Sequence, residues 1–148
     1  MESDALQREA AQLAFYKLLA FKYSDLINGF ERKTVGEVKA LVNPDDLTIQ
    51  SLLTEFKPNP YEFPRDYASS LRAAFEFLCS EITYVPLEVE LNCWLTPKEI
   101  LSSGVSDDED LAIFLCSIMH ALGDEKAFVV VAELSGLNPH AFVITEIN

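Results

Sequence analysis

Gly104 to Gly123, GVSDDEDLAIFLCSIMHALG, is the stretch on which the fold turns. After a Gly-Val-Ser-Asp turn, apolar residues fall at Leu111, Ala112, Phe114, Leu115, Ile118, Met119 and Leu122, which is helical spacing. Ser106 or Asp107 can cap the first N–H groups, Asp108, Glu109 and Asp110 lie where the helix dipole favours anions, and Gly123 closes the far end. These features predict a helix over 107–122. Being apolar on most sides, it is expected to be the central buried helix, with only its acidic N-terminus near solvent.

Downstream, Lys126 to Leu134, KAFVVVAEL, is β-branched and apolar and predicts a buried strand. Ser135-Gly-Leu-Asn-Pro139 is a turn, and a second strand over 140–147 is expected antiparallel to the first. Upstream, Leu87 to Leu95 alternates apolar and polar residues, which predicts a half-buried strand over 87–95. Thr96-Pro-Lys-Glu99 is a capping box with Pro at the first helical position, opening a short helix to about Ser102.

The first third is helical. Leu6, Ala10, Leu13, Ala14, Leu18, Phe21, Tyr23 and Leu26 recur at intervals that suit one long or broken amphipathic helix from Ala5 to about Phe30. Thr34-Val-Gly-Glu37 is another capping box, and Asn43-Pro44 offers an N-cap and first-position Pro for a helix from Pro44 to about Phe56. Residues 57–64, KPNPYEFP, read as a linker, and Pro64 can open a helix that runs to about Ile82. The fold class is therefore α+β: a helical segment over 1–56, a linker over 57–64, and a core over 65–148 in which helix 107–122 packs on a small antiparallel sheet. At 148 residues the chain is expected to form one domain, because the helical segment is too small to bury itself.

Trp94 to Gly123 resembles the core of transglutaminase-like domains, members of the papain-like cysteine-hydrolase group. The similar features are a Trp followed by a Thr-Pro-x-Glu turn, then a Gly-led acidic run opening a helix that ends in Leu-Gly. Pro139, His140, Ala141, Phe142 and Val143 resemble that family's second signature, in which a His starts a strand. The resemblance implies that Asp108 stands where the family has its nucleophilic Cys, that His140 matches its base, and that Trp94 lines the cleft or is simply core. The chain stops at Asn148, before the strand on which the family places its Asp, so the core is expected either to lack a third catalytic position or to belong to a longer protein. A carboxylate attacks an amide poorly, so no catalytic residue is expected, and Asp108, His140 and Trp94 are expected to form a vestigial site. There Asp108 and His140 would make an ion pair or hydrogen bond instead of a nucleophile and base.

Two other chemistries remain open for the acidic run. Asp107, Asp108 and Asp110 with His140 offer hard oxygen ligands plus an imidazole for a divalent metal, although the run lacks the spacing of a calcium loop. Alternatively Asp108 and His140 act as a hydrolase's acid/base pair. The plain alternative is a solvated, capped helix start. His120, near the end of the same helix, suits its dipole.

Composition narrows the partners. A formal net charge of −13 opposes binding to a phosphate backbone, so nucleic acid is not expected. No apolar run approaches a membrane span and the first residues, MESDALQREA, do not resemble a signal peptide, so no membrane partner and a cytoplasmic location are expected. Cys79, Cys93 and Cys116 lack paired spacing, and Cys79 and Cys116 are read as buried thiols on apolar helical faces. No cofactor is implied. A protein or peptide partner is the expected ligand class, and the open strand edge near His140 is to be covered by a further strand or by a homodimer.

Overall fold

The computed structural model describes residues 2–86, 91–133 and 139–146. The chain divides into two compact units, Met1–Lys33 with Leu87–Trp94, and Thr34–Pro86 with Leu95–Asn148. The division does not follow the KPNPYEFP stretch, which lies inside the second unit.

In the first unit the long amphipathic pattern becomes two helices, α1 (Glu2–Lys22) and α2 (Ser24–Glu31). The interruption at Tyr23 is slight, since Tyr23 N–H still bonds the Leu19 carbonyl at 3.0 Å and Ile27 N–H the Tyr23 carbonyl at 3.0 Å. The strand expected over 87–95 is corrected here. Residues 87–90 lie outside the described residues, and 91–95 carry no strand. The backbone donors that a ladder would need go to side chains: Asn92 N–H donates to Asn28 Oδ1 at 2.7 Å, and Leu95 N–H to Asp110 Oδ2 at 3.0 Å.

The second unit holds the core. Its helices are α3 (Val35–Leu41), α4 (Leu47–Phe56), α5 (Tyr67–Glu81), α6 (Pro97–Ser103) and α7 (Asp108–Ala121). Both predicted capping boxes form, Thr34 with Glu37 and Thr96 with Glu99. Helix α4 starts later than its Asn-Pro signal suggests. Asp46 is the cap, accepting from Thr48 and Ile49 N–H, while the exposed Asn43 side chain accepts from Asp45 N–H at 3.1 Å and its backbone N–H donates to Ser117 Oγ at 3.0 Å.

Helix α7 is the centre of this unit. Phe114, Ile118 and Leu122 are no more than 1% exposed, and Ile49, Leu53, Ala74, Leu78 and Ile100 close around them. Each of these Leu, Ile and Phe side chains contributes roughly 1.5–3 kcal/mol by leaving water. The helix packs on the antiparallel pair β3 (Phe128–Glu133) and β4 (Pro139–Ile144), in register Phe128 with Ile144 and Ala132 with His140. Among the described residues two further strands, unexpected from their length, join β1 (Thr83–Tyr84) in parallel to β2 (Val105–Ser106).

Gly104 makes that second pairing possible. It closes α6 in the left-handed region at φ 68° and offers its carbonyl to Thr83 N–H at 2.8 Å. A Cβ there would meet only the Glu81 carbonyl at an ordinary 3.5 Å, so the backbone conformation alone sets the cost of Gly104→Ala. We expect a loss of about 1 kcal/mol in urea unfolding. A neutral result would mean that the turn relaxes.

Candidate functional site

The site is assembled where α7 begins. Asp107 is the cap, its Oδ1 accepting from Asp110 N–H at 3.0 Å, which places Asp108 as the first helical residue. Strand β4 runs past that end. Asp108 Oδ2 accepts from Ala141 N–H at 2.8 Å and lies 3.2 Å from His140 Nδ1, which donates to it when protonated there. The carboxylate and imidazole are 23% and 41% exposed, so the pair sits at a surface that solvent and ligands reach.

The four residues considered for a metal do not converge. Asp107 is committed to Asp110 N–H, and Asp110 Oδ2 to Leu95 N–H. Among the described residues no three His, Cys, Asp or Glu side chains are grouped so as to hold a metal ion. Trp94 belongs to the first unit, where its Nε1–H donates to the Glu31 carbonyl at 3.1 Å.

The acidic helix start is not the solvated one expected. Asp107 and Asp110 are buried, at 8% and 2% exposure. Burial, and then the charge of Asp107, push Asp110 up to about 7, against the hydrogen bond from Leu95 that favours its anion. Burial likewise raises Asp107 and Glu109, with Asp108 adding to both. Part of the reason is tertiary: the backbone at Leu95, fifteen residues back in the chain, comes against the helix end and donates its N–H to Asp110.

Beside Asp108 lies a cavity of about 640 Å³ between α5, α7 and β4. Its walls are apolar, with Phe75, Leu78, Ile82, Leu111, Leu115 and Phe142 among them, and among the described residues Asp108 is the one carboxylate residue lining it. Tyr84 also lines it, and burial followed by Asp108, Asp107 and Glu109 raises its phenol above the ordinary value. Cys79, expected buried, is exposed and faces this space, because α5 turns that side away from the core. Cys116 is buried as expected, and burial pushes its thiol up to about 11. It is inert at neutral pH.

A second polar centre escaped the sequence. Asp124, in the loop after α7, is 5% exposed and accepts from Tyr67 Oη–H at 2.5 Å, from Thr145 Oγ1–H at 2.8 Å and from Lys126 N–H at 3.1 Å. No linear signal joins positions that far apart. His120 does not serve its own helix end alone, since its Nε2 meets the Ala127 carbonyl at 2.8 Å.

No family model, curated protein or solved structure matches the chain. Among the described residues no helix is long and apolar enough to cross a membrane.

Proposed function

We propose that this chain carries a transglutaminase-like core without the family's catalysis and works as a protein- or peptide-binding module. The observation that carries this reading is the pairing of Asp108 with His140 across 3.2 Å at the N-terminus of a buried helix, where the resemblance expects a nucleophile and its base. Asp108 Oδ2 is held by the Ala141 N–H as well, and a carboxylate so engaged is a poor nucleophile that would at best form a mixed anhydride. The adjoining cavity, within the usual range of about 300–1,000 Å³ for ligand sites, supplies the apolar surface that binding needs.

The test has two arms. The wild type is incubated with activated esters and acyl amides, with and without magnesium or manganese, beside His140→Ala. No turnover that depends on His140 is expected; turnover that His140→Ala abolishes would replace this reading with the acid/base or metal-assisted hydrolase. Stability is the second arm. Asp108→Ala strips Ala141 N–H of its acceptor and should cost about 1 kcal/mol, whereas Asp108→Asn keeps an acceptor oxygen and should stay within about 0.5 kcal/mol of wild type in thermal unfolding.

A further inference from the structure

We infer that the cavity beside Asp108 takes an extended peptide segment in which a large apolar side chain is followed by a basic one, the apolar group filling the cavity and the cation resting on the Asp108 carboxylate. The inference rests on the binding reading above and specifies its ligand.

Three observations carry it. The cavity holds about 640 Å³ behind aromatic and aliphatic walls, room for a Phe- or Leu-sized side chain with part of its backbone. Among the described residues its one acidic wall group is the Asp108 carboxyl, and one oxygen of that group is still open: Oδ2 serves Ala141 and His140, while Oδ1 has no partner among the described residues. Neighbouring Asp107 and Glu109 reinforce the negative field, and the chain as a whole carries −13. A helix N-terminus ordinarily attracts anions, but here the protein's own carboxylates occupy it, so an anionic ligand is repelled.

The third observation favours a segment of polypeptide over a small amine. On its side away from β3, strand β4 has no strand beside it among the described residues. Ala141 spends its N–H on Asp108, on that side, and the two-residue period of a strand directs the N–H of Val143 the same way. Ala141, Phe142 and Val143 also line the cavity. An extended backbone can therefore bond this edge while its side chains reach the cavity and the carboxylate, which is strand addition with a pocket.

The experiment uses the full chain and three fluorescein-labelled, end-capped hexapeptides that differ only at two central positions: Phe-Lys, Phe-Gln and Ser-Lys. Hexylammonium is the fourth probe. Fluorescence anisotropy reads affinity, with hexylammonium as a competitor, and 15N-edited spectra follow the Ala141 amide. Expected is a Phe-Lys peptide that binds at least tenfold more tightly than Ser-Lys and about fivefold more tightly than Phe-Gln, the latter margin shrinking in 0.5 M salt. Asp108→Asn should erase the preference of Lys over Gln and leave that of Phe over Ser; should this variant not fold, the salt dependence of the wild type decides. The inference is overturned if the three peptides move the Ala141 amide with equal affinity, which leaves a binding module of different preference. It is overturned also if hexylammonium matches the Phe-Lys peptide, which makes the ligand a small amine. If no peptide moves that amide at millimolar concentration while His140-dependent turnover is present, the binding reading falls together with it.

Discussion

Asp124→Ala should lower the stability of the second unit by about 3 kcal/mol, measured by urea unfolding at pH 7. Three donors lose their acceptor at once: the Tyr67 hydroxyl, the Thr145 hydroxyl and the Lys126 N–H. Tyr67 is itself buried, so its hydroxyl cannot turn to water, and each buried donor left unmade costs roughly 1–3 kcal/mol. Tyr67→Phe should cost less, about 1.5 kcal/mol, because the carboxylate keeps its other two donors. If Asp124→Ala loses no more than Tyr67→Phe, the carboxylate is not the hub of this cluster. The pH behaviour follows from the same contacts. Burial by itself raises Asp124, but the hydrogen bonds from Tyr67, Thr145 and Lys126 outweigh it and hold the acid below its ordinary value. A carboxyl depressed on folding contributes stability that is present above the unfolded value near 3.8 and is lost as pH falls through the folded one. The Asp124→Ala variant should therefore lose its deficit relative to wild type only in strong acid.

Asp110→Asn should have the opposite sign. Asp110 titrates near 7 in the folded chain against 3.8 in the ordinary one, so between those values the folded state holds a proton that the unfolded state has released. Stability then falls as pH rises, by up to about 1.4 kcal/mol per pH unit between about 4 and 7, and the full penalty stands above 7. Asp107 and Glu109, also raised, act in the same direction. Asn keeps an acceptor for Leu95 N–H without the charge. We expect Asp110→Asn to be more stable than wild type by up to about 4 kcal/mol at pH 8, equal to it near pH 4, and flatter in between, as followed by thermal unfolding across that range. A variant that tracks the wild-type pH curve would show that the buried acid is not what makes the helix start pH-sensitive.

The contrast between these two aspartates locates what could be read from the chain. Both lie in short polar runs beside an apolar helix, and although the run at Asp110 is the more acidic, the runs do not show which aspartate is buried with the fewer donors. One sits among donors and is stabilised as an anion; the other sits among carboxylates and is stabilised as an acid. For Asp124 the deciding donors, Tyr67 and Thr145, lie 57 and 21 positions away in the chain, and for Asp110 the deciding factor is burial by the fold, ahead of the charge of nearby Asp107.

Helix α7, the capping boxes at Thr34 and Thr96, and the β3–β4 pair were legible because each depends on side-chain periodicity or on groups three or four residues apart, whereas the choice of Asp107 over Ser106 as the cap of α7 was left to the structure. The α+β class followed from them. The 87–95 alternation misled where it could be checked, since over 91–95 alternation states which faces differ but not whether a partner strand is present to pair the backbone. Asn43-Pro44 misled for a related reason: the Asn had a better tertiary use for its backbone N–H in Ser117, and the cap passed to Asp46.

Only the tertiary structure decided the site. The sequence named Asp108 and His140 as facing residues but could not supply the Ala141 N–H that holds the carboxylate, the burial that raises Asp110, or the cavity between α5, α7 and β4. Local order is set by short-range sterics and hydrogen bonds that a few neighbouring residues specify, whereas burial, field and cavity shape are sums over elements brought together by the fold.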